Sequence, residues 1–148
     1  MNYRTAICEG IIVKGFKEKC TFRLDALTPD SSLLIGIVDD EAAQKANGTM
    51  LDFSDSEYGG YGLLCECCFA YHGAEEVYFE YLEQFEYGQN SLLTMELDMT
   101  QQDNDHGILM VTVNSKVKDG VNIDDHSDIL FDDIDINKKW RAAVAIYM

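Results

Sequence analysis

The sequence predicts an all-β fold, an antiparallel β-sandwich with one short helix. Three observations carry this. Leu92–Met99 alternates Leu93, Met95, Leu97 and Met99 against Thr94, Glu96 and Asp98, the period of a strand with one buried and one wet face. Continuous apolar runs recur at Leu33–Val38, Ile108–Val113 and Trp140–Met148. Segments rich in Gly, Pro, Asn and Asp separate them, the pattern of short strands joined by turns. At 148 residues and 47% hydrophobic content, the chain is long enough to bury a core as one domain without staples.

Taken in order, Ala6–Val13 reads as a strand and Lys14–Lys19 as a polar turn region. Cys20–Leu27 alternates Cys20, Phe22, Leu24 and Ala26 against Thr21, Arg23 and Asp25, and Thr28-Pro29-Asp30 closes it as a turn. Leu33–Val38 has the pattern of an interior strand, and Gly36 inside it signals close backbone approach. Asp39–Asn47 is the helix, with Asp39 or Asp40 as cap and Asn47-Gly48 as stop. Asp52–Gly60 reads as loop. Tyr61–Tyr71 alternates as one strand, with Tyr61, Leu63, Cys65, Cys67, Phe69 and Tyr71 on one face. Ala74–Tyr87 fits helix and strand patterns almost equally and is read as strand or extended loop.

Leu92–Met99 and Ile108–Val113 form a β-hairpin around Thr100–Gly107, the second strand reading as covered on both faces. Asn114–Ser115 reads as a turn, Val117–Ile123 as a short strand and Asp124–Asp128 as an acidic turn. Ile129–Phe131 and Asp132–Asn137 are short apolar and alternating pieces, and Trp140–Met148 is the last strand. The hairpin strands are scaffold; its tip, Gln101–His106, is the part open to function.

The formal charge is −16. Such a field repels phosphate backbones and anionic bilayers; its first reading is solubility, and the sharper one is steering toward a basic partner. No run has the length of a transmembrane helix or the pattern of a signal peptide. The five cysteines, without secretory context, read as reduced thiols of a cytoplasmic protein.

Cys65-Glu66-Cys67-Cys68 invites a zinc or redox reading, but a second ligand pair is missing and Cys8 and Cys20 lie far apart in sequence. On one strand Cys65 and Cys67 would sit roughly 6.5–7 Å apart, awkward for a disulfide. They are expected as buried core thiols. Asp103, Asp105 and His106, and later Asp124, Asp125, Asp128, Asp132, Asp133 and Asp135, lack EF-hand spacing and read as solvated acids. Neither metal nor cofactor is expected. With no G-x-S-x-G motif, and with the cysteines expected in the core, the reading is non-enzymatic.

The order of segments resembles the SPRY domain, a concanavalin-like β-sandwich of jelly-roll type. The resemblance rests on Leu34-Ile35-Gly36-Ile37-Val38; Tyr58-Gly59-Gly60-Tyr61-Gly62 followed by Phe69-Ala70-Tyr71-His72-Gly73; Tyr87-Gly88 before Leu93–Met99; Gly107-Ile108-Leu109 with Val113-Asn114-Ser115-Lys116; and Trp140–Tyr147. Asn90-Ser91 and Ser115 depart from its Gly-bearing turns, and the family usually has one more strand after the position of Trp140–Tyr147. Either the N-terminal strand completes the sheet or the chain is a fragment. The resemblance implies a non-catalytic module, an adaptor or scaffold part of a larger protein or complex. It would bind a protein or short peptide, one with a basic surface being favoured by charge, through loops at one end: Asp39–Gly60, His72–Gln89, Thr100–Gly107 and Asp124–Lys139. The candidate contact residues are Tyr58, Tyr61, Tyr87, Asp103, Asp105 and Arg141, aromatic and charged types that favour interfaces. The alternative is a carbohydrate-binding lectin-like domain.

Overall fold

The computed structural model describes residues 3–24, 31–46, 52–100, 105–120 and 122–147. Its strands are β1 (Tyr3–Ile7), β2 (Lys17–Arg23), β3 (Ser32–Asp39), β4 (Tyr61–Leu64), β5 (Phe69–His72), β6 (Glu75–Tyr78), β7 (Phe85–Glu86), β8 (Leu92–Asp98), β9 (His106–Val117), β10 (Ile123–Asp135) and β11 (Trp140–Tyr147). One helix, α1 (Asp40–Ala46), follows β3, and a 3₁₀ turn spans Glu80–Gln84. Every named pairing is antiparallel. The strands form two sheets, ordered β1-β11-β3-β4-β5-β6 and β10-β9-β8-β2, with β7 also on β9. The all-β sandwich expected from the sequence is the fold.

Alternation decides what lies between the sheets. Leu93, Met95, Leu97 and Met99 are all buried, and they meet Leu109, Val111 and Val113 of β9 and Leu33, Ile35, Ile37, Leu63 and Trp140 of the facing sheet in one cluster. The intervening residues of β3 and β11 face outward, where Leu34, Val38, Ala143 and Ala145 are covered by Phe53, the alanines of α1 and Tyr58. This second, smaller core holds α1 and the 52–58 loop on the outside of the larger sheet. Gly36 permits the β3–β4 approach: a Cβ there would stand 1.9 Å from the carbonyl oxygen of Tyr61, so the expected close backbone contact is present.

Several boundaries differ from the sequence reading. The predicted Tyr61–Tyr71 strand is two strands, β4 and β5, joined by a turn at Cys65–Cys68 in which Cys68 has φ 61°. Cys65 and Cys68 are buried there, but Cys67 is exposed. Ile108–Val113 is covered on one face only: Leu109, Val111 and Val113 are buried, whereas Ile108, Met110 and Thr112 are half-buried. Asn114–Ser115 is not a turn, because β9 runs on to Val117; Ser115 points inward and donates to the carbonyl of Glu86 at 2.7 Å. The turn falls instead within the predicted Val117–Ile123 strand, and the predicted Asp124–Asp128 turn is the start of β10, paired to Asn114 and Val111. Clustered acids mimic a turn in sequence, yet on an edge strand they are tolerated because they repel further strands. Ala74–Tyr87 holds β6, the 3₁₀ turn and β7 in succession, which is why neither period dominated. Thr28-Pro29-Asp30 lies outside the described residues.

The N-terminal strand is shorter than read, Tyr3–Ile7 with an isolated bridge at Ile12. It pairs with β11 from Ile7↔Ala143 to Tyr3↔Tyr147, so it fills the edge beyond β11. Asn90 has φ 69°, a left-handed conformation that Asn accepts more readily than most residues.

Candidate functional site

The registers fix which connections share an end. β3 ends at Asp39 opposite Trp140, the start of β11, and Ile37 lies opposite Tyr61, the start of β4. β10 ends at Asp135 opposite His106, and Asp98 of β8 lies opposite Ile108. One end therefore gathers α1, the 52–60 loop, the Gly73–Ala74 turn, the Asn137–Lys139 turn and the described residues between β8 and β9. The Cys65–Cys68 turn, the 3₁₀ turn and the Lys118–Gly120 turn lie at the other. Of the loops named from the sequence, His72–Gln89 is thus divided between the two ends, and most of Asp124–Lys139 is strand.

At the first end a groove runs beside α1. One part, about 570 Å³, is bounded by Asp39, Glu41 and Lys45, by Glu57, Tyr58 and Gly59 of the loop, and by Lys138. A second part, about 400 Å³, shares Asp39, Glu41 and Lys138 and continues past Gln44 to Asn137 and Lys139. The residues that build it follow from local chemistry. Asp39 precedes the helix, and its carboxylate faces the amide of Glu41 at a long 3.4 Å, the position of an N-cap. Asp40, the first helical residue, is buried and accepts from Arg141 Nε at 2.5 Å and from Gln44 Nε2 at 2.9 Å. The Asp40 amide donates to the carbonyl of Lys139 at 2.8 Å, tying the helix start to the Asn137–Lys139 turn. Side chains of both charge signs line the walls around one half-buried tyrosine. The arrangement suits reversible contact with a charged, partly apolar chain.

The six candidate residues divide. Tyr58 lines the groove. Arg141 lies behind it and is committed to Asp40, an acid of its own chain. Asp105 is exposed at the same end but outside the groove lining. Asp103 lies outside the described residues. Tyr61 is in the core, its ring stacked on His72 at 3.7 Å and edge-on to Phe131 and Trp140. Burial, reinforced by the charges of Asp133, Glu75 and Asp135, pushes its hydroxyl up to about 12. His72 Nδ1 sits 3.0 Å from the carbonyl of Gly60, so Nδ1 carries the hydrogen. Tyr87 is at the other end, with a buried hydroxyl that has no hydrogen-bond partner among the described residues. Its ionisation is pushed upward by burial and then by Cys65, Cys68 and Glu66.

Asp39, Glu41, Lys45 and Lys138, which line the groove, fall within the loops Asp39–Gly60 and Asp124–Lys139 read from the sequence but were not singled out as contact residues. The available signal was the helix itself: it is short, charged and directly follows the interior strand β3. Among the described residues no group of three or more His, Cys, Asp or Glu side chains is placed to hold a metal ion, and no helix is long and apolar enough to cross a membrane.

No protein-family model and no curated protein matches this chain.

Proposed function

We propose that the chain is a SPRY-like, non-catalytic module that binds a protein or short peptide in the groove beside α1. The observation that carries this reading is the groove itself. It is walled by two loops and a helix at one end of the sandwich, with Tyr58 in its lining and Asp39, Glu41 and Glu57 available to a cation. The overall charge of −16 favours encounter with a basic partner and disfavours nucleic acid. Lys45 and Lys138 on the same walls would orient such a peptide by receiving its carboxylates. A half-buried aromatic ring amid charged rim residues is a recurrent hot-spot arrangement.

The test is selection from a random peptide display library, followed by titration of the enriched sequences. Enriched peptides carry Lys or Arg, and Tyr58→Ala or Glu41→Lys weakens them at least about tenfold, the scale of one hot-spot contact. A library that yields no binder, beside a glycan array that does with or without calcium, overturns the reading in favour of a lectin-like domain.

A further inference from the structure

The sulfurs of Cys8 and Cys20 lie 3.5 Å apart although the residues are separated by 12 positions. Cys8 directly follows β1, its amide donating to Ala142 of β11 at 2.8 Å. Cys20 lies in β2, opposite Met95 of β8. β1 and β2 are the terminal strands of the two sheets, so this contact spans the open edge of the sandwich, where packed sheets stand about 10 Å apart. Both thiols are half-buried, and they line a cavity of about 220 Å³ walled by Ile11, Ile12, Lys19 and Met95. Ile11 of that lining is exposed, and neither cysteine is fully buried.

We infer that Cys8 and Cys20 form a redox-active dithiol that is oxidised to an intersheet disulfide by exchange with a low-molecular-weight disulfide of the glutathione type. The sulfurs are already in contact, and a bond of about 2.05 Å needs only a further small approach. Cys8 loses its proton to water and attacks one sulfur of oxidised glutathione, forming a Cys8–glutathione mixed disulfide and releasing one glutathione thiolate, which takes up a proton. Cys20 then loses its proton to water and attacks the Cys8 sulfur; the Cys8–Cys20 bond forms, the Cys8–glutathione bond breaks, and the second glutathione leaves as a thiolate that takes up a proton. Two protein thiols are oxidised and one glutathione disulfide is reduced to two thiols. Burial and the neighbouring Cys8 hold the Cys20 proton up to about 11; the same exchange with the two cysteines' roles reversed gives the same product. The product would tie the N-terminal strand to the facing sheet.

The 148-residue chain, native and then urea-unfolded, is equilibrated across a glutathione redox series, alkylated and digested with trypsin. Cleavage after Arg4, Lys14, Lys19 and Arg23 gives Thr5–Lys14 and Cys20–Arg23. In the native protein these two peptides appear linked, two hydrogens lighter than their sum, with no linkage to Cys65, Cys67 or Cys68. The oxidised form melts about 5 °C or more above the reduced form, the scale expected for a closed loop of this length. Cys8→Ser and Cys20→Ser each stop at a glutathione adduct on the remaining cysteine. If either variant fails to fold, the wild-type peptide map decides. Recovery of Cys8 and Cys20 as free or merely glutathionylated thiols in the native protein, or a linked form that fails to melt higher, would overturn the inference.

Discussion

Arg141 Nε donates to Asp40 Oδ1 at 2.5 Å, binding β11 to the first residue of α1. The two side chains are 23% and 9% exposed, so the pair is neither a surface bridge of negligible value nor a fully dry one. It supports the floor of the groove from behind.

Arg141→Met strands the buried Asp40 carboxylate with Gln44 alone. The expected loss is about 2 kcal/mol, between the costs of an unpaired buried acceptor and of a broken buried ion pair. Urea unfolding measures it. Amide hydrogen exchange in α1 should quicken more than in β3, because the helix has lost its link to the sheet while β3 keeps its ladder with β11. An unchanged midpoint would mean that the pair does not hold the helix.

Gly36→Ala should be among the most damaging single substitutions, with a loss of roughly 4 kcal/mol or more. Its Cβ would lie 1.9 Å from Tyr61 O and 2.8 Å from Gly62 Cα, both backbone atoms that cannot turn aside. Gly88→Ala, with nothing within 4 Å of the added carbon, is the matched control and should stay within about 0.5 kcal/mol. Circular dichroism melts of the two variants side by side make the comparison.

Ser115 joins Ser91 Oγ at 2.6 Å and the carbonyl of Glu86 at 2.7 Å, bridging the gap between β7 and β8 along β9. Ser115→Ala leaves those buried partners short and should cost about 1–3 kcal/mol. Ser115→Gly should be no better, because the position is extended strand and gains nothing from glycine's freedom. A glycine variant more stable than wild type in urea unfolding would restore the turn expected from the sequence.

Alkali should destabilise the fold. Burial raises the thiols of Cys20 and Cys68 from 9.0 to about 11, and the hydroxyl of Tyr61 from 10.0 to about 12. The folded chain holds these protons more tightly than the unfolded one. Between about pH 9 and pH 12 the unfolded state binds fewer protons, and stability falls as pH rises. The contribution is complete below the unfolded values and lost through the folded ones. Urea midpoints should be flat from pH 7 to 8.5 and drop thereafter, and Tyr61→Phe should make the decline shallower above pH 10. A decline unchanged by that substitution would remove Tyr61 from the account.

The fold class was legible because residues 92–99 carry a clean period of two and the sandwich has one dominant core. The β9–β10 segment was not, because Asp124, Asp125 and Asp128 belong to an edge strand whose exposed positions tolerate any charge. The Cys65–Cys68 turn was hidden by a period of two that continued through it in composition while Cys68 took a left-handed φ. Tyr58 is the candidate that the fold carries into the groove lining; Tyr61, only three positions on, enters the core because β4 begins there. The approach of Cys8 to Cys20 depends on two sheet edges meeting, which no spacing rule anticipates.

Amide chemical-shift mapping with a library-selected basic peptide reads the proposed site beside α1 residue by residue. Perturbed residues should cluster in Asp39–Ala46, Ser56–Gly59 and Asn137–Lys139, and Tyr58→Ala should remove the perturbations. Perturbations centred on the Cys65–Cys68 and Lys118–Gly120 turns at the opposite end would contradict it.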